Sequence, residues 1–157
     1  MKRHRSFAVL AAALLVGGCA GVPQQDAGGV VVEGPGERAA QRAANLVGMP
    51  YRFGGASPID GFDCSGLIFF SYREAGVTLP RTTEALRLAA QPIAAGELRP
   101  GDLIFFDLQG MKNSHVGIYA GRGAFVHAPS TGKDVRLDRL DAPYWKRQLS
   151  ETRRPIT

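Results

Sequence analysis

Cysteine is scarce in this chain: its 157 residues hold two, Cys19 and Cys64. Histidine is nearly as rare, with three. No CxxC or HxxxH spacing occurs, so the ligand pairs that usually build a zinc site are missing and no metal is expected. There is no internal repeat and no hydrophobic run beyond the one at the N-terminus. A strong charge excess is lacking too. The formal net charge is +5, but three of those charges, Lys2, Arg3 and Arg5, fall in an N-terminal segment without Asp or Glu, which leaves +2 for the rest. That balance argues against a nucleic-acid surface. The basic residues near the end (Arg136, Arg139, Lys146, Arg147, Arg153, Arg154) read first as a solvated face and only second as a contact to an anionic polymer.

The N-terminal segment has the build of an exported leader. Lys2 to Arg5 is basic, and Phe7 to Val16 is apolar but too short to span a bilayer as a helix. Leu15-Val16-Gly17-Gly18-Cys19 resembles the bacterial lipobox, in which the signal is removed just before an acylated cysteine. Residues 1–18 are therefore expected to be a signal peptide and Cys19 the lipidation site, anchoring the protein to a membrane through several acyl chains. Residues 19–36, rich in Gly, Pro and Gln, read as a flexible tether, and residues 37–157 as one domain. With Cys19 acylated, Cys64 is left as a lone thiol in an oxidising compartment. It is either a buried structural residue or a reactive one.

Helices come first and strands after. Apolar positions at helical spacing predict a helix over Glu37–Val47, stopped by Gly48 and Pro50. A loop runs to Phe62. Asp63 is a candidate N-cap for a helix from Cys64 to about Ala75, with Gly76 following as its left-handed cap. Thr82 caps a short helix over Thr83–Ala90. Beyond Gly101, strands are predicted over Leu103–Phe106, His115–Ala120, Ala124–Ala128, Val135–Leu137 and Gln148–Arg153. This order predicts an α+β fold with an antiparallel sheet packed on the Cys64 helix.

In the first turn of its helix, Cys64 meets unsatisfied N–H groups that favour an anion, and Gly66 keeps the approach open. A base must then be within reach, and beyond the leader only His115 and His127 are available. If Gly121-Arg122-Gly123 is a three-residue hairpin loop, Tyr119 faces Phe125, Ile118 faces Val126 and Gly117 faces His127. His115 and His127 then become diagonal neighbours on one face, suited to a base and its orienting partner, with Gly117 leaving their rings unobstructed. A two-residue loop would instead put the histidines on opposite faces.

Asp63-Cys64-Ser65-Gly66, Leu79-Pro80-Arg81-Thr82-Thr83, Gly101-Asp102-Leu103-Ile104-Phe105-Phe106, His115-Val116-Gly117-Ile118-Tyr119 and His127 together resemble the NlpC family of papain-like cell-wall cysteine peptidases, closest to its small Spr-type lipoproteins. The resemblance runs from about Glu37 to the C-terminus. It implies a papain-like α+β fold, a catalytic Cys64, His115 and His127, a Tyr51 hydroxyl near the oxyanion, and Asp63 and Ser65 as substrate contacts. It also implies a murein endopeptidase without cofactor, acting on peptidoglycan stem peptides next to meso-diaminopimelate, at either the D-alanyl crosslink or the γ-D-glutamyl link. A monomer is expected, held at the periplasmic face of the outer membrane by the lipid on Cys19. Two alternatives stand beside this: a lipoprotein that binds peptidoglycan or a partner protein in the same groove without cutting, and acyl transfer onto lipid by a distant relative of the fold.

Overall fold

The computed structural model describes residues 33–157. The expected signal peptide, the lipidation site Cys19 and most of the expected tether lie outside the described residues. The first described helix begins inside the expected tether. Helix α1 spans Pro35–Ala44, with Gly34 as its N-cap. Pro35 at the first helical position has no N–H to leave unsatisfied, so it starts the helix rather than preventing it. The helix also stops short of the expected Val47: residues 45–48 form turns, and Gly48 at φ +92° closes them in a conformation suited to glycine. Ala39, Ala40 and Ala43 are buried, as their spacing predicted.

A short hairpin of β1 (Ala56–Ser57) and β2 (Gly61–Phe62) occupies the expected loop. Helix α2 follows at Cys64–Glu74, capped as expected by Asp63, whose carboxylate accepts from the Gly66 N–H. Helix α3, Thr83–Ala89, is capped by the Thr82 hydroxyl. The chain then runs straight into β3, Ala90–Ile93, a strand the pattern did not reveal. Pro92 explains the miss: proline lowers strand expectation, yet it is tolerated here because β3 is an edge strand.

The remaining strands are β4 (Leu103–Leu108), β5 (Met111–Gly121), β6 (Ala124–His127), β7 (Arg136–Arg139) and β8 (Leu149–Pro155). They form a six-stranded sheet in the order β3-β8-β4-β5-β6-β7, with every neighbouring pair antiparallel. Alternation along the strands separates two packed layers. Leu103, Phe105, Val116, Ile118 and Val126 join α1 and α2 in the larger core. On the opposite face, Ile104, Phe106 and Phe125 pack under Trp145. That tryptophan comes from α4, Pro143–Gln148, a six-residue helix too short for its periodicity to show in the sequence.

The β5–β6 turn settles the register question. Gly121 faces Ala124, so the turn itself has two residues, Arg122 and Gly123, both at positive φ. Such a turn matches the twist of the flanking strands. A bulge between Tyr119 and Gly121 takes up the extra residue, and the ladder beyond it pairs Tyr119 with Phe125 and Ile118 with Val126, as the three-residue loop would have done. The loop length differs from the expectation, but the side-chain alternation does not.

Four of the six basic residues near the C-terminus are ion-paired: Arg136 with Asp138, Arg139 with Asp141, Arg153 with Glu151 and Arg154 with Asp102. Local neutralisation of this kind supports the solvated-face reading over an anion-binding patch. Among the described residues, no helix is long and apolar enough to cross a membrane.

Candidate active site

Cys64 opens α2 at the floor of a cleft of about 520 Å³, walled by Tyr51, Phe53, Asp63, Arg81, Thr83 and Ser114. The start of α2 is fixed by a dense polar knot. Asp63 Oδ1 accepts from the Gly66 N–H at 2.7 Å and from Arg81 Nη1 at 2.9 Å, while Oδ2 accepts from the Gly54 N–H and Arg81 Nη2, both at 2.9 Å. Arg81 also donates to Ser65 Oγ and to the Gly55 carbonyl, each at 3.0 Å. Asp63 and Ser65 therefore face the cleft with much of their hydrogen-bonding capacity already used inside the protein. Arg81, which the sequence offered only as part of a motif, is the residue that ties them together.

The thiol lies 3.7 Å from Thr83 Oγ1, and the backbone N–H groups of Ser65 and Val116 point at it. Those contacts pull its acidity in the direction expected for a helix N-terminus. Burial acts the other way and is the larger effect, so the Cys64 thiol is pushed up from its ordinary value. The depressed thiol expected from local sequence is thus overturned: the helix end is present, but the dry surroundings outweigh it.

Strand β5 carries His115 between two residues that reach the Cys64 site. Val116, its successor, points its N–H at the sulfur, and Ser114, its predecessor, lines the cleft. His115 Nε2 and His127 Nδ1 share a hydrogen bond of 2.8 Å, with the rings edge to face at 82° and 5.0 Å between centroids. The diagonal pairing expected from the register is present. One detail differs. The space over Gly117 is filled by the Phe125 ring, since a Cβ there would lie 2.6 Å from Phe125 Cδ2, so the glycine makes room for phenylalanine rather than for the histidines.

The chain of contacts continues to Asp138, which the sequence reading missed. His127 Nε2 lies 3.1 Å from Asp138 Oδ2, and the same oxygen accepts from Trp145 Nε1 at 2.8 Å and from Arg136 Nη2 at 2.7 Å. Burial raises the Asp138 carboxyl, but hydrogen bonds from Arg136, Trp145 and His127 outweigh it and hold the group below its ordinary value. Trp145 closes the other side, stacked on His115 at 5.9 Å and edge-on to His127 at 4.8 Å.

Both imidazoles are 4% exposed or less, and burial pushes both below the ordinary histidine value of 6.5. The fold thus accommodates neutral rings. Below about pH 6.5 the unfolded chain binds protons at these positions that the folded chain does not. The stability they contribute is fully present above that value and is lost as pH falls, by up to about 1.4 kcal/mol per pH unit for each ring. Urea unfolding between pH 7.5 and 5.5, above the carboxylate range, should show this loss, and His127→Gln should reduce it. A flat stability profile in that window would contradict the neutral pair.

Tyr51 lines the cleft with its backbone fixed by the Lys133 carbonyl, to which its N–H donates at 2.9 Å. Burial, with Cys64 and Asp63 nearby, pushes its phenol up, so the hydroxyl remains a donor.

Residues 48–154 match the model of the NlpC/P60 family. Murein DD-endopeptidase MepH of Escherichia coli K12 is 44% identical over 116 residues, covering 71% of this chain and 42% of that protein. The probable endopeptidase NlpC homolog of Haemophilus influenzae is 42% identical over 109 residues, covering 69% of this chain and 56% of its own length. Among solved structures, a protein described as similar to lipoprotein of the NLP/P60 family, from Staphylococcus aureus Mu50, superposes with a TM-score of 0.69 at 38% identity, over 78% of this chain and 42% of that one. This chain therefore spans about half the length of the curated relatives it matches, and what it shares with them is the papain-like α+β domain. With the match running from just after α1 into β8, the chain belongs to the NlpC/P60 family.

Proposed function

We propose that this chain is a cysteine endopeptidase of the cell envelope that hydrolyses amide bonds in peptidoglycan stem peptides. The observation that carries the reading is the thiol of Cys64 on an open cleft, at the start of a helix packed on strand β5, whose His115 has its Nε2 already engaged by a second histidine. That engagement leaves His115 Nδ1 as the nitrogen free to act on the thiol. The name of the similar murein DD-endopeptidase supports the substrate class.

In the proposed reaction, Cys64 Sγ attacks the amide carbonyl as its proton passes to His115. Burial favours a neutral thiol and a neutral imidazole, so this transfer accompanies attack rather than preceding it. The oxyanion formed is met by the Cys64 N–H and the Tyr51 hydroxyl. Collapse breaks the C–N bond, and His115 gives its proton to the departing amine. Water, deprotonated by His115, then adds to the thioester, and the thiol is released with the carboxylate product. The bond next to meso-diaminopimelate, within a stem or across a crosslink, is the proposed target. Acylation of Cys19 and tethering of a monomer at the periplasmic face of the outer membrane complete the reading and rest on the leader's sequence.

The test is incubation of the chain with diaminopimelate-type peptidoglycan and mass spectrometry of the fragments, with Cys64→Ala alongside. New fragments from the unsubstituted chain alone support the peptidase, and their masses identify the bond. If several wall preparations stay intact while the chain still sediments with them, a non-catalytic wall-binding protein replaces it.

A further inference from the structure

Asp138 accepts four hydrogen bonds on one oxygen. Arg136 donates to Oδ2 through Nε at 3.0 Å and Nη2 at 2.7 Å, Trp145 Nε1 donates at 2.8 Å, and His127 Nε2 completes the set at 3.1 Å. Guanidinium and indole N–H groups can only donate, and an ionised carboxylate can only accept. With Oδ2 committed as an acceptor, His127 must place its proton on Nε2. A neutral imidazole carries one proton, so His127 Nδ1 is then bare and accepts. Its neighbour at 2.8 Å, His115 Nε2, must therefore carry the proton of its own ring. The lone pair of His115 is left on Nδ1, the nitrogen the proposed reaction uses as its base.

We propose that Asp138 is a positioning residue that sets the tautomers of both histidines, with Arg136 and Trp145 holding it in place. The inference rests on the peptidase reading for its consequence, although the tautomers themselves do not depend on it. Asp138 is not part of the cleft wall, so its role is exerted through His127 and not by touching substrate. Strand pairing makes the arrangement possible. β6 and β7 pair His127 with Arg136 and Phe125 with Asp138, so Asp138 stands diagonal to His127, as His127 stands diagonal to His115. Two successive diagonals run the same way across three strands, and Trp145 caps the line.

The tautomers are read directly by long-range ¹H–¹⁵N NMR of the full chain labelled at histidine. Asp138 should impose the Nε2–H form on both His115 and His127. Asp138→Asn can still offer an oxygen to the three donors and should keep that pattern. Asp138→Ala removes the acceptor and should give mixed or reversed tautomers at His127 and then at His115. In parallel, Asp138→Ala should lower kcat by about 10- to 100-fold with KM little changed, and Asp138→Asn should restore much of it. Unchanged tautomers in a folded Asp138→Ala chain would overturn the inference, as would a loss expressed only in KM. Should Asp138→Ala fail to fold, Trp145→Phe removes one of the donors that hold the carboxylate and should loosen the same tautomers, and no change there would count against the proposal. Altered tautomers in a protein that never cuts peptidoglycan would leave Asp138's role standing and remove the peptidase.

Discussion

His115→Gln is expected to lower kcat for stem-peptide cleavage by about 10⁴-fold or more, and Cys64→Ala by at least as much. Glutamine at 115 can still donate to His127 Nδ1, so the hydrogen bond that anchors the position survives while the base is lost. The two groups serve one proton transfer, so the double variant should be little worse than either single one. Additive losses would show that Cys64 and His115 act separately. The structure makes this coupling sharper than an exposed pair would. Burial pushes the thiol up and the imidazole down, so neither group is charged on its own at neutral pH. Without the base, almost no thiolate forms, and the remaining rate is what the cleft and the oxyanion donors supply. A residual activity within 100-fold of the parent would mean that another group removes the proton.

Gly66→Ala is expected to destabilise the fold by about 3 kcal/mol, lowering Tm by about 10 °C. Helix propensity alone predicts the opposite sign, since alanine is favoured over glycine inside a helix by about 1 kcal/mol. The close approach decides the outcome. A Cβ on Gly66 would sit 2.0 Å from the Gly55 carbonyl oxygen. That oxygen cannot easily withdraw, because it accepts from the Asp63 N–H and from Arg81 Nη2, each at 3.0 Å. Either the hairpin loop moves or the first turn of α2 does, and Cys64 lies in that turn, so cleavage should fall along with stability. Gly96→Ala is the matching control, because a Cβ there meets nothing within 4 Å and should change stability by less than about 0.5 kcal/mol. Equal stability of the two variants would show that the Gly55 turn is slack. The sequence suggested that Gly66 keeps the approach to Cys64 open; the structure shows it instead allowing the helix to seat against a carbonyl.

Sequence alone was enough for whatever depended on residues close together in the chain. Asp63 ahead of Cys64 marked the helix start, because a capping carboxylate reaches an N–H only three residues away. Alternation on either side of Arg122-Gly123 put His115 and His127 on one face, because a hairpin turn ties its two strands in register. Even the misjudged loop length did not matter there, since the bulge restored the alternation. Tertiary structure decided what had no local carrier. Asp138 reaches His127 only because β7 pairs with β6 across a connection whose path the sequence pattern does not specify. Trp145 covers both rings from a six-residue helix too short to announce itself by period. The direction of the Cys64 and His115 shifts came from burial, which depends on all the chain that packs around a group, and so the helix N-terminus beside the thiol predicted the wrong sign.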